Sequence, residues 1–89
     1  MKITINLAGT FFGKFLNEGL EPSISERSTL ENLLEFLNTH YNTTVFSKKN
    51  LKNNMFVMIC NGTRVEPEEL KNPIEDGDQI SILQPIMGG

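Results

Sequence analysis

The stretch Glu75-Asp76-Gly77-Asp78-Gln79-Ile80-Ser81-Ile82-Leu83-Gln84-Pro85-Ile86-Met87-Gly88-Gly89 runs from a tight acidic turn, through an alternating strand, into a segment with no partner pattern. Gly77 between two aspartates suits a turn, because glycine accepts positive φ and aspartate bonds its own neighbouring amides. Gln79 to Leu83 alternates, with Ile80 and Ile82 on one side and Ser81 and Leu83 on the other, the period of a half-buried strand. Gln84 to Gly89 then reads as a tail, so the expected division is a folded domain over 1–83 and a flexible tail over 84–89.

Upstream, Met55 to Cys60 is a continuous apolar run that stops at Asn61-Gly62, a dipeptide suited to a tight hairpin, before a short partner strand at Thr63 to Val65. Pro67-Glu68-Glu69-Leu70 suits one short helical turn. Ser28-Thr29-Leu30-Glu31 has the form of a capping box led by Ser28, and Leu30, Leu33, Leu34, Leu37 and Tyr41 follow with helical spacing as one apolar stripe. Between that helix and Met55, the segment Asn42 to Asn54 is polar apart from Val45, Phe46 and Leu51, and reads as an irregular connection with room for a partial turn of helix.

At the other end of the chain, Ile3, Ile5 and Leu7 alternate with Lys2, Thr4 and Asn6 as an amphipathic strand. The pattern breaks around Gly13 and Gly19, which predicts a long loose hairpin loop and a second short strand near Ser23 to Ser25. Phe11, Phe12 and Phe15 within it either cap the edge of the core or meet a partner. The order is strand, strand, helix, strand, short strand, turn, strand. One helix on one face of a mixed sheet buries both apolar surfaces, an α+β architecture of the β-grasp (ubiquitin-like) kind.

On these residues the chain resembles the ubiquitin-like sulfur carriers, nearest to the small subunit of molybdopterin synthase and next to the thiamine-pathway sulfur carrier. The closing pattern of acidic Gly turn, apolar strand, Pro85 linker and Gly88-Gly89 carries the likeness most strongly. The loop from Thr10 to Phe15 departs from the synthase pattern, and the Asn42 to Asn54 connection is long for a thiamine carrier. With glycine at about 7% of residues, a terminal pair arises by chance in only roughly 0.5% of chains.

The resemblance implies that Gly89 is adenylated by an E1-like activating enzyme using ATP and magnesium, then converted to a thiocarboxylate with sulfur from a persulfide enzyme. It implies delivery of that sulfur to a pyranopterin precursor held by the catalytic large subunit of molybdopterin synthase. The chain itself is then not an enzyme and binds no cofactor or metal. Gly88 and Gly89 offer no side chain to block a narrow channel, the segment from Gln84 can span roughly 20 Å, and Pro85 stiffens its base. Strand parity places Ile59 and Leu83 on the open face of the sheet as an apolar docking patch, with Pro85, Ile86 and Met87 expected to contact partners too.

Other chemistry has little footing. His40 is the sole histidine and sits at the helix end; Cys60 shares the parity of Phe56 and Met58, so a buried, inert thiol is expected. Asp76 and Asp78 read as turn residues, and Glu66, Glu68 and Glu69 as a solvated acidic face. A net charge of −3 without a basic stripe argues against nucleic acid. No apolar run approaches the roughly 20 residues of a membrane span, no leader precedes the first strand, and a single cysteine fits a reducing compartment, so a cytoplasmic location is expected. The competing readings are a carrier for thiamine or another sulfur-transfer pathway, a protein modifier joined through Gly89 to lysines, and a binding domain whose tail is not activated.

Overall fold

In the computed structural model, which describes residues 1–84, the alternating segments at the two ends of the chain lie side by side at the centre of one sheet. Strand β1 (Thr4–Phe11) runs parallel to β5 (Gln79–Leu83), with Ile5 opposite Ile80 and Leu7 opposite Ile82. A parallel pair needs a long crossover, and everything between the two strands supplies it. β2 (Lys14–Leu20) flanks β1, and β3 (Val57–Cys60) with β4 (Thr63–Arg64) flanks β5, giving the order β2-β1-β5-β3-β4 with all pairs but one antiparallel.

Helix α1 (Leu30–Tyr41) buries Leu30, Leu33, Leu34 and Leu37, the stripe expected from their spacing. These share one core with Ile5, Leu7, Met58, Ile80 and Ile82, which turn inward from the sheet. The other face of the sheet carries Asn6, Ala8, Val57, Ile59, Ser81 and Leu83, all partly or fully exposed. Tyr41 ends the stripe at the margin, where its hydroxyl donates to Glu18 Oε1 at 2.7 Å and ties the helix to edge strand β2. Burial first, and then the Glu18 bond and charge, hold this phenol above the ordinary tyrosine range.

Two local expectations are corrected. The first hairpin is tight: β1 continues to Phe11 and β2 begins at Lys14, joined by Phe12 and Gly13 with φ of 39° and 78°. Two successive positive φ values give the primed turn whose twist matches a hairpin, and Phe is an unusual occupant of its first position. Ser23 keeps only an isolated bridge to Lys2, because β2 has already occupied the edge of β1. At the helix start the cap is Thr29, one residue later than expected: Thr29 Oγ1 accepts from the Asn32 amide and the Asn32 side chain accepts from the Thr29 amide. Ser28 instead donates its hydroxyl to the Ser25 carbonyl.

The polar connection after α1 is held by several side-chain bonds, those of Asn38 and Asn50 among them. Asn38 donates to the Phe46 carbonyl at 2.9 Å and accepts from the Phe46 amide at 3.0 Å, seating the fully buried Phe46 ring against Phe11 and Phe56. A single short helix, α2 (Lys48–Lys52), follows, capped by Ser47 and anchored by Leu51. Asn61 and Gly62, with φ of 51° and 86°, form the expected turn between β3 and β4, and a 3-10 helix spans Pro67–Lys71. Among the described residues, no helix is long and apolar enough to cross a membrane.

Candidate functional site

Residues that share a register position across a sheet point to the same face, so the pairings identify what lies near the end of β5. Leu83 stands between Ala8 of β1 and Val57 of β3, forming an apolar row across the open face. The neighbouring row is Asn6, Ser81, Ile59 and Arg64, in which Ile59 is the large apolar member. Ile59 and Leu83 are therefore on the same open face, both partly exposed, as strand parity expects. Ala8 and Val57 complete the patch; the odd-even alternation of β3 already places Val57 with Ile59, a signal available in the sequence.

The aromatic hairpin divides its residues. Phe11 is buried against Phe46, and Phe12 packs between Tyr41 and Phe46. Phe15 is 75% exposed and pairs with Thr10, so it stands on the open face beside the end of β5. Two of the three rings thus cap the core edge while the third extends the apolar surface.

Gln84 follows directly on Leu83. Its amide donates to the Ala8 carbonyl at 3.1 Å and its side-chain Oε1 accepts from the Thr10 amide at 2.8 Å, so the first residue assigned to the tail is still fastened to β1. Pro85, Ile86, Met87, Gly88 and Gly89, the remaining expected contact and carrier positions, lie outside the described residues.

The other candidate groups fall elsewhere. Cys60 is half-buried rather than fully buried, because it ends β3 where the sheet gives way to the Asn61-Gly62 turn. Burial, reinforced by the Asp78 carboxylate 3.9 Å from its Sγ, raises the thiol pKa. Cys60 pairs with Ile80, three residues along the strand from the Leu83 row and so about 10 Å away. A neutral thiol is a poor nucleophile: at pH 8, Ellman's reagent is expected to modify native Cys60 at least roughly tenfold more slowly than the urea-unfolded chain. Equal rates would show that the thiol is neither shielded nor held neutral.

Asp76 and Asp78 accept from the amides of Lys2 and Glu75, and Asp78 also accepts from the Asn61 side chain. They thereby brace the turn into β5 against the start of β1 and the β3–β4 turn. His40 is exposed and stacks on Phe36 with ring centroids 5.7 Å apart. What the arrangement offers is a mixed sheet face on which Ala8, Val57, Ile59 and Leu83 form an apolar patch beside polar Asn6, Ser81 and Arg64, with a fastened strand end next to it.

Comparison with known proteins agrees with this architecture. The sequence model of the ThiS family matches residues 11–89. Similar solved structures include a chain of the complex between subunits 1 and 2 of molybdopterin-converting factor from Helicobacter pylori, at 23% identity and TM-score 0.56, covering 100% of both chains. SAMP1 from Haloferax volcanii is similar at 13% identity and TM-score 0.65, again covering 100% of both chains. A ubiquitin from Caldiarchaeum subterraneum follows at 16% identity and TM-score 0.58, covering 100% of this chain and 98% of that one. No curated protein matches in sequence at a significant level. At these identities the structural likenesses establish the ubiquitin-like β-grasp fold.

Proposed function

The chain belongs to the ThiS family of small ubiquitin-like sulfur carriers, and from that premise we propose that its Gly89 carboxylate is activated and loaded with sulfur for transfer in molybdopterin synthesis. The observation that carries the reading is that the family match runs through to Gly89, so the glycine pair belongs to the matched region. The molybdopterin assignment draws on the closing Glu75 to Gly89 pattern and on the likeness to the molybdopterin-converting factor complex.

A carboxylate is a poor acyl donor because its charge repels nucleophiles and oxide is a poor leaving group. Activation forms a bond from a Gly89 oxygen to the α-phosphorus of ATP and expels pyrophosphate; magnesium and the phosphate-binding groups belong to the activating enzyme. The terminal sulfur of a protein persulfide then attacks the acyl carbon, AMP departs, and a thiol reductant splits the resulting disulfide to leave the thiocarboxylate. In transfer, this chain contributes the donor and a partner subunit holds the acceptor. The fold's own task is recognition: the Ala8, Val57, Ile59 and Leu83 face docks the domain while residues 85–89 present the terminal carbonyl.

The reading is tested by an intact mass spectrum of the protein from its native cells under non-reducing conditions. A population heavier by the exchange of one oxygen for sulfur, mapped to Gly89, is expected; a free carboxylate that also resists conversion by the cognate activating enzyme, ATP and a sulfur donor would sink it. The docking role has its own check. Leu83→Asp is expected to raise the Kd for the activating enzyme by about tenfold or more while the circular dichroism melting curve keeps its cooperative shape. An unchanged Kd would remove this face from the interaction.

A further inference from the structure

Gly9 and Gln84 meet in a way that regular strand pairing does not require. Gly9 has φ of +138°, and a Cβ added there would overlap Gln84 Cβ and lie 3.0 Å from the Gln84 amide nitrogen. Only a residue without a side chain lets Gln84 come this close. The bonds are equally specific. In a continuing parallel ladder, the residue opposite Gly9 would give its amide to the Ala8 carbonyl and its main-chain carbonyl to the Thr10 amide. Gln84 makes the first bond, at 3.1 Å, but satisfies Thr10 with its side-chain Oε1, at 2.8 Å. The side chain thus replaces its own backbone carbonyl as the last rung. The ladder stops at a defined residue and the Thr10 amide keeps a partner there.

We propose that Gln84, seated over Gly9 and bonded to Thr10, is a positioning residue that fixes the step at which the strand ends and the direction from which the terminal glycines approach an activating enzyme. This rests on the sulfur-carrier reading. Once the open face is docked, the local concentration of the Gly89 carboxylate in an active centre depends on the point at which the terminal segment leaves the sheet. A slip of one residue moves that point by about 3.3 Å. Releasing Gln84 moves it without altering the docked face.

Two variants separate the bond from side-chain bulk. Gln84→Met keeps similar length but has no comparable acceptor; Gln84→Glu keeps an oxygen for Thr10. Hydrogen exchange of the Thr10 amide, read by NMR, is expected to quicken on the order of tenfold in Gln84→Met and to remain slow in Gln84→Glu. In ATP–pyrophosphate exchange with the cognate activating enzyme, Gln84→Met is expected to lose roughly three- to tenfold in kcat, with KM for the carrier changed by less than about twofold and kcat restored in Gln84→Glu. A kcat equal to wild type in Gln84→Met, with Thr10 exchange accelerated, overturns the proposal alone. Unchanged Thr10 exchange overturns it as well, since the bond would then not hold the strand end. A wild-type chain inactive in the assay would overturn the carrier reading together with it.

Discussion

Deleting Gly88 and Gly89 is expected to abolish adenylation, by at least about 1000-fold in ATP–pyrophosphate exchange, while leaving thermal unfolding unchanged. The reason is geometric. Removing two residues shortens the reach of the tail by about 7 Å, and misplacement of a reacting group by even 1 Å can cost on the order of 100-fold in rate. The new terminus would also be Met87, whose side chain occupies space that glycine leaves free. Stability should not follow activity, because the buried apolar core of the described residues already runs from Ile3 to Ile82 and a glycine has no side chain to add to it. The pair of measurements is therefore diagnostic: lost exchange with an unchanged melting temperature is the signature of a carrier terminus. Retention of more than about a tenth of wild-type exchange would contradict the proximity requirement on which the assignment depends. The protein-modifier alternative makes the same demand on Gly89, so it is separated by product: isopeptide-linked adducts would support the modifier, and a sulfur-bearing terminus the carrier.

Elements whose information lies in side-chain periodicity were legible before the structure. The Leu30, Leu33, Leu34, Leu37 stripe and the Ile80, Ile82 alternation each name a face as well as an element, which is why the open-face positions of Ile59 and Leu83 followed from parity. Features set by backbone conformation or by long-range side-chain-to-backbone bonds were not legible. Phe12-Gly13 makes a tight turn although phenylalanine gives no turn signal, so β2 was missed and its place given to Ser23 to Ser25. Thr29 rather than Ser28 caps α1 because Asn32, not Glu31, supplies the returning acceptor. Gln84 looks like any linker residue until Thr10, distant in sequence, is placed beside it. The proposed chemistry rests, in the sequence, on the closing pattern alone, since Gly88 and Gly89 have no side chains to carry it.

Phe46 is the largest buried anchor of the polar connection after α1, and Phe46→Ala is expected to lower the unfolding free energy by about 3–5 kcal/mol in urea titration. Phe46 is 2% exposed and lies 5.8 Å from Phe11 and 5.5 Å from Phe56, centroid to centroid, so its removal leaves a void between three elements. Local collapse cannot readily fill that void, because Asn38 holds the Phe46 backbone through both its amide and its carbonyl. A loss of this size is a large part of the roughly 5–15 kcal/mol that stabilises a typical domain. Phe46→Leu, which retains apolar volume, should recover part of it. A loss below about 1.5 kcal/mol would mean that the site relaxes and the connection is only loosely docked. The consequence for function is indirect: Phe46 packs on the helix side and Leu83 faces the other way, so the folded fraction of Phe46→Ala should bind partners with unaltered Kd. Weakened binding by the fully folded variant would show that the two faces of the sheet are coupled.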